Sequence, residues 1–184
     1  MKVVILGDSW GAGFNASNGN DDGWVGFPCV MAAIDGSTAA QWAADTNGWL
    51  SAAKKHAVSA DTIIISLLGN DTFDSFNNEG MATKEEEANA YRDLRFVVEQ
   101  FTEKRLIVML YAPPRSGDQR ASMACASLND LIKASLAGIP VEFADLGLWL
   151  TPDQVGGGLP PHPFDDGWRV IRKNMTALVE LDKR

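Results

Sequence analysis

Residues 3–9, Val-Val-Ile-Leu-Gly-Asp-Ser, form a short apolar run that ends in a turn and delivers a serine. The run reads as a buried first strand over residues 2–6. Residues 62–68 (Thr-Ile-Ile-Ile-Ser-Leu-Leu) form the clearest strand of the chain, and residues 105–111 (Arg-Leu-Ile-Val-Met-Leu-Tyr) form another, stopped by Pro113-Pro114. Residues 28–34 hold a short second strand and residues 140–144 a short last one.

Helical patterns fill the gaps between these runs. The Ala-rich stretch from Thr38 to about Val58 reads as helix, interrupted near Asn47-Gly48. Thr83, followed three residues later by Glu86, is a capping signal for the next helix. There Glu87, Tyr91, Leu94, Val98 and Phe101 share one side, which is apolar from Tyr91 onward. A helix around 118–137 is expected to bury Leu128, Leu131, Ile132 and Leu136, and residues 166–181 make a closing helix. Strands separated by helix-length segments imply parallel pairing, hence an α/β layer sandwich. The stretch from Gly11 to Gly23 is rich in Gly, Asn and Asp and reads as loop, with a helical turn after Ser9.

Composition sets the outer limits. The 184 residues suit one domain spanning 1–184, with 46% hydrophobic and 22% charged residues, as in an ordinary globular protein. A net charge of −8 argues against a nucleic-acid partner, because phosphate recognition needs a basic surface. No apolar stretch approaches the ~20 residues of a membrane span. The start is too quickly polar for a signal peptide. Cys29 and Cys125 match no metal spacing and read as free thiols, so a cytoplasmic site is expected. Neither a metal cluster nor a phosphate loop of the Gly-x-x-x-x-Gly-Lys type is visible.

In an open parallel sheet, ligands sit beyond the carboxyl ends of the strands. Asp8 and Ser9 follow the first strand, Asp35, Gly36 and Ser37 the second, and Gly69, Asn70 and Asp71 the third. The segment after the last strand carries His162, one of two histidines. A hydroxyl becomes a useful nucleophile when a base takes its proton, and imidazole is the usual base near neutral pH. Ser9 can offer its hydroxyl and its own N–H. Gly36 lets a backbone N–H approach a substrate closely, and Asn70 offers a side-chain amide. Asp8 reads as a brace of its turn, Asp71 as a partner of local backbone, and His56 as a solvated residue at a helix end.

These residues resemble the blocks of the SGNH (GDSL-type) hydrolases. Gly7-Asp8-Ser9-Trp10 is similar to the block carrying the nucleophile, and Asp35-Gly36-Ser37-Thr38 to the block whose glycine N–H serves the oxyanion hole. Leu68-Gly69-Asn70-Asp71 is similar to the block whose asparagine completes that hole, and Pro161-His162-Pro163 to the block with the base. The resemblance implies a flavodoxin-like three-layer α/β/α sandwich with a mostly parallel sheet of about five strands. It also implies a serine esterase with Ser9 and His162 catalytic, an oxyanion hole of Ser9, Gly36 and Asn70, and no cofactor. A short O-acyl ester of a carbohydrate is the first substrate expected. A lysophospholipid, a thioester, or a binding role without turnover are the alternatives; the oligomeric state is not indicated.

Two positions depart from the pattern. Leu68 stands where the third block has its first glycine, which affects the packing of the turn. Leu159 stands where the family has an aspartate three residues before the histidine. That carboxylate fixes the imidazole tautomer in a Ser-His-Asp triad. Asp153 upstream and Asp165 or Asp166 downstream are candidate replacements, although Asp165 and Asp166 also suit capping of the closing helix and Asp153 a short turn. A Ser-His dyad supported by backbone is the preferred reading. The six tryptophans are mostly packing residues, with Trp10 and Trp168, and Phe73 and Phe76, lying beside the blocks.

Overall fold

The computed structural model describes residues 2–14, 29–72, 84–114, 119–156 and 162–180. Within them, β1 (Val3–Gly7), β2 (Cys29–Met31), β3 (Thr62–Ser66), β4 (Arg105–Leu110) and β5 (Glu142–Asp145) form one sheet in the order β2-β1-β3-β4-β5. Every pairing is parallel. Every residue of β1 and β3 is buried. Successive side chains alternate between faces, so both faces of the central sheet are covered and the arrangement is three-layered. Ile63, Ile64 and Ile65 are fully buried, each contributing about 1.5–3 kcal/mol.

The helices are α1 (Ser9–Ala12), α2 (Ala39–Ala43), α3 (Trp49–Ala57), α4 (Lys84–Glu99), α5 (Gln119–Ser135), α6 (Leu146–Trp149) and α7 (Asp165–Glu180). The stretch expected as one interrupted helix over 38–58 divides into α2, a 3-10 turn over Thr46–Gly48, and α3. The break has a backbone cause: Asp45, Asn47 and Gly48 have φ of 52°, 53° and 74°, outside the helical region. The third strand ends at Ser66 rather than Leu68, because the chain turns towards the site there. The second strand is only three residues long.

On α4 the apolar stripe buries Leu94, Val97 and Val98, and Phe101 just beyond it is buried too. On α5, Leu128 and Ile132 are buried, but Leu131 is only half-buried, at the margin of the stripe. Leu136, just past the helix, is buried. The capping residue Thr83 lies outside the described residues. Two arginines fasten helix ends: Arg95 donates to the Ser135 and Ala137 carbonyls at 2.9 and 3.1 Å, at the end of α5. Arg105 grips Glu142 at 2.6 and 2.8 Å and donates to the carbonyls of Leu178 and Val179 near the end of α7. No described helix is long and apolar enough to cross a membrane.

Candidate active site

β1 and β3 end in register, Gly7 opposite Ser66, and this sets where the first turn leaves the sheet. Gly7 has a φ of 133°, and a Cβ there would fall 1.8 Å from the Ser66 carbonyl oxygen, so only glycine fits. The Asp8 N–H donates to that same carbonyl at 2.7 Å. Asp8 then caps α1, accepting from the Trp10 N–H at 3.0 Å. Its carboxylate also accepts from the Ser66 hydroxyl at 2.7 Å and from the Tyr111 hydroxyl. Burial raises the Asp8 pKa, against the lowering effect of these bonds, so the bonds hold a carboxylate that is fully out of solvent.

Three turns are stitched together beside this anchor. Gly69 packs so closely on Tyr111 that an added Cβ would lie 2.9 Å from the ring, and its N–H donates to the Tyr111 hydroxyl at 2.8 Å. The Asn70 side chain donates to the Ser37 carbonyl at 2.9 Å, and the Asp71 carboxylate accepts from the Ala39 N–H at 2.9 and 3.1 Å. The Ser37 hydroxyl donates to the Gly7 carbonyl at 3.0 Å and accepts from the Trp42 indole at 2.9 Å. Asp71 thus bonds backbone, as its type suggests, both at its own N–H and at the start of α2. Burial pushes its pKa up to about 6.

Leu68 explains the first departure from the family pattern. Its φ of 93° lies in the region that favours glycine, a conformation that costs of order 1–3 kcal/mol for a side-chain-bearing residue. Its side chain is completely buried, so packing offsets the strain. Leu159, the second departure, lies outside the described residues.

His162 arrives from the far end of the chain. Val155 and Pro163 form an antiparallel bridge, the Gly156 N–H donates to the His162 carbonyl at 2.8 Å, and the Phe164 N–H donates to the Gln154 carbonyl at 2.9 Å. This clamp fixes the main chain on either side of the imidazole. The ring stacks on Trp10 with centroids 6.2 Å apart and planes 25° apart. Its Nε2 lies 2.8 Å from the Ser9 hydroxyl, a hydrogen bond between residues 153 positions apart.

Ser9, Ala12, Gly13, Asp35, His162 and Trp168 line a cleft of about 340 Å³. Gly36 is exposed with a φ of 72° and open space where a Cβ would stand. Neither the Ser9 nor the Gly36 N–H has an acceptor among the described residues. A larger hollow of about 430 Å³ lies at the opposite, amino-terminal edge of the sheet, lined by Lys54, Val58 and residues 99–104. Its mixed charges include neither a serine nor a histidine, so the smaller cleft is the chemically equipped one.

Of the expected site residues, the structure brings Ser9 and His162 into contact and ties the Asn70 turn to Ser37, next to Gly36. Asp153 sits exposed in a 3-10 turn over Pro152–Gln154, capped by Thr151. Asp165 and Asp166 are exposed in the first turn of α7, inside the helix rather than ahead of it. The Asp8–Tyr111–Gly69 bridge went unread in the sequence. Tyr111 ends a buried strand at the same edge as Asn70, and that placement was the available signal. Among the described residues no cluster of His, Cys, Asp or Glu is arranged to hold a metal.

No protein-family model matches the sequence, and no curated protein matches it. Solved structures do match in shape. An inferred acylhydrolase from Bacteroides fragilis superimposes with a TM-score of 0.67 at 20% identity, covering 100% of this chain and 88% of that one. The acetylxylan esterase Axe2 from Geobacillus stearothermophilus gives 0.68 at 16% identity, covering 97% and 93%. A protein assigned to the G-D-S-L lipolytic family, from Desulfitobacterium hafniense, gives 0.65 at 13% identity, covering 96% and 98%. At these identities the shared property is the fold. The chain has the three-layer fold found in SGNH hydrolases.

Proposed function

We propose that this chain is a serine esterase of the SGNH type. The observation that carries the reading is the 2.8 Å contact between the Ser9 hydroxyl and His162 Nε2 at the mouth of the cleft. Ser9 Oγ attacks the ester carbonyl carbon while Nε2 takes its proton. The oxyanion so formed is held by the N–H groups of Ser9 and Gly36 and by the Asn70 amide. Collapse returns the proton from His162 to the leaving alcohol and leaves an acyl group on Ser9. Water, deprotonated by the same imidazole, then releases the acid and restores the hydroxyl.

The clamp around Val155 and Pro163 and the face of Trp10 orient the imidazole for both proton transfers. No step calls for a metal or organic cofactor. The preferred substrate is a short acyl group, acetyl foremost, on a carbohydrate hydroxyl. A cleft of this modest size and the Asp35 carboxylate, an acceptor for sugar hydroxyls, support that choice. The likeness in fold to a protein named an acetylxylan esterase supports it as well.

The test is hydrolysis of p-nitrophenyl acetate, p-nitrophenyl octanoate and acetylated xylo-oligosaccharides by wild type, Ser9→Ala and His162→Ala. Wild type should release acetate from the oligosaccharide and prefer acetate to octanoate, with each variant at least ~10³-fold slower. Equal rates in Ser9→Ala contradict the mechanism; octanoate preference contradicts the substrate assignment.

A further inference from the structure

The Tyr111 hydroxyl stands between two turns with different tasks in the proposed reaction. It donates to the Asp8 carboxylate, next to Ser9, and accepts from the Gly69 N–H at 2.8 Å, next to Asn70. We infer that Tyr111 is a positioning residue that couples the nucleophile turn to the oxyanion turn. The inference rests on the esterase reading of Ser9 and Asn70.

A phenol suits this place because one oxygen both donates and accepts. Its main chain and its ring are both held. The Asn129 side chain bonds both the N–H and the carbonyl of Tyr111 at 2.8 Å, and Trp10 packs edge-on with ring centroids 5.4 Å apart. The residue is 1% exposed, so solvent does not replace a bond that is lost there. Gly69 has no Cβ, and that absence is what lets the turn approach the ring. Both turns are therefore referenced to one fixed oxygen atom, beside the direct contact of the Gly69 N–H with the Asp8 carboxylate.

Ser66 supplies an internal contrast. Its hydroxyl also donates to Asp8, at 2.7 Å, and lies beside the Tyr111 hydroxyl, but among the described residues it makes no bond to Gly69 or Asn70. Loss of the Ser66 hydroxyl weakens the anchor of Asp8. Loss of the Tyr111 hydroxyl also takes from the Gly69 N–H its 2.8 Å acceptor, so the nucleophile and oxyanion turns lose their shared reference together. Misplacement of reacting groups on the scale of 1 Å costs up to ~10²-fold in rate.

The experiment compares Tyr111→Phe with Ser66→Ala, reading kcat and KM on p-nitrophenyl acetate alongside the melting temperature. Tyr111→Phe is expected to lower kcat about 10- to 100-fold with KM within about twofold. Ser66→Ala is expected to lower the melting temperature with kcat within about threefold. A folded Tyr111→Phe with wild-type kcat, or an equal kcat loss in Ser66→Ala, overturns the inference. A second readout needs no variant: fluorotyrosine labelling gives one signal each for Tyr91 and Tyr111, and phosphonylation of Ser9 should move the Tyr111 signal alone. A Tyr111 signal that stays in place overturns the coupling. Wild type with neither turnover nor Ser9 labelling contradicts the esterase reading itself, and this role falls with it.

Discussion

The Asn70 side chain donates to the carbonyl oxygen of Ser37 at 2.9 Å, joining the turn after β3 to the turn after β2. One N–H of the amide is thereby committed to structure, and the commitment aims the other. Removal of an oxyanion donor commonly costs ~10²–10³ in kcat. Asn70→Ala should show that loss, read by steady-state hydrolysis of p-nitrophenyl acetate, with KM little changed. Asn70→Asp should be as slow, since a carboxylate offers no donor and faces the Ser37 carbonyl.

Asp71 introduces a pH dependence of stability with a definite sign. Its folded pKa is raised from 3.8 to about 6, so the folded protein holds this proton more tightly than the unfolded chain. The resulting stability is fully present below about 3.8 and is lost as pH rises through about 6, on the order of 3 kcal/mol in all. Asp71→Asn should lose less stability than wild type between pH 4 and pH 7, measured by urea unfolding at each pH. Identical slopes would count against the assignment.

How much of this arrangement was legible beforehand varied with its physical origin. Strands β1, β3 and β4 are unbroken apolar runs because both faces are covered, and such runs survive any uncertainty about neighbours. Ser9, Gly36, Asn70 and His162 stood out because each follows a strand, and four short blocks reinforced one another. The Asp8–Tyr111 bond spans 103 positions and depends on how β1, β3 and β4 line up, which no local pattern encodes. The same holds for Leu68, whose backbone conformation is imposed by the turn and not by leucine's own preference.

Asp35 is the charged group among the described residues lining the cleft. Its exposed carboxylate should disfavour anionic esters by about 1 kcal/mol, or roughly fivefold in kcat/KM. Asp35→Asn should erase that discrimination and Asp35→Lys reverse it, measured with a neutral and an anionic acetyl ester of similar size. The effect should shrink as salt is raised.

The Ser-His dyad reading makes a further demand on the exposed carboxylates of Asp153 and Asp165. Asp153→Asn and Asp165→Asn should each change kcat by less than about tenfold, whereas loss of a triad acid costs ~10⁴. A thousandfold loss in either variant, with folding intact by circular dichroism, would identify that residue as the orienting acid.

The central claim is that Ser9 is a nucleophile activated by His162. Reaction of the folded protein with a fluorophosphonate, followed by mass spectrometric mapping of the adduct, tests it most directly. The account predicts one adduct on Ser9, none in Ser9→Ala, and much slower labelling in His162→Ala. Folded wild-type protein that leaves Ser9 unmodified would contradict it.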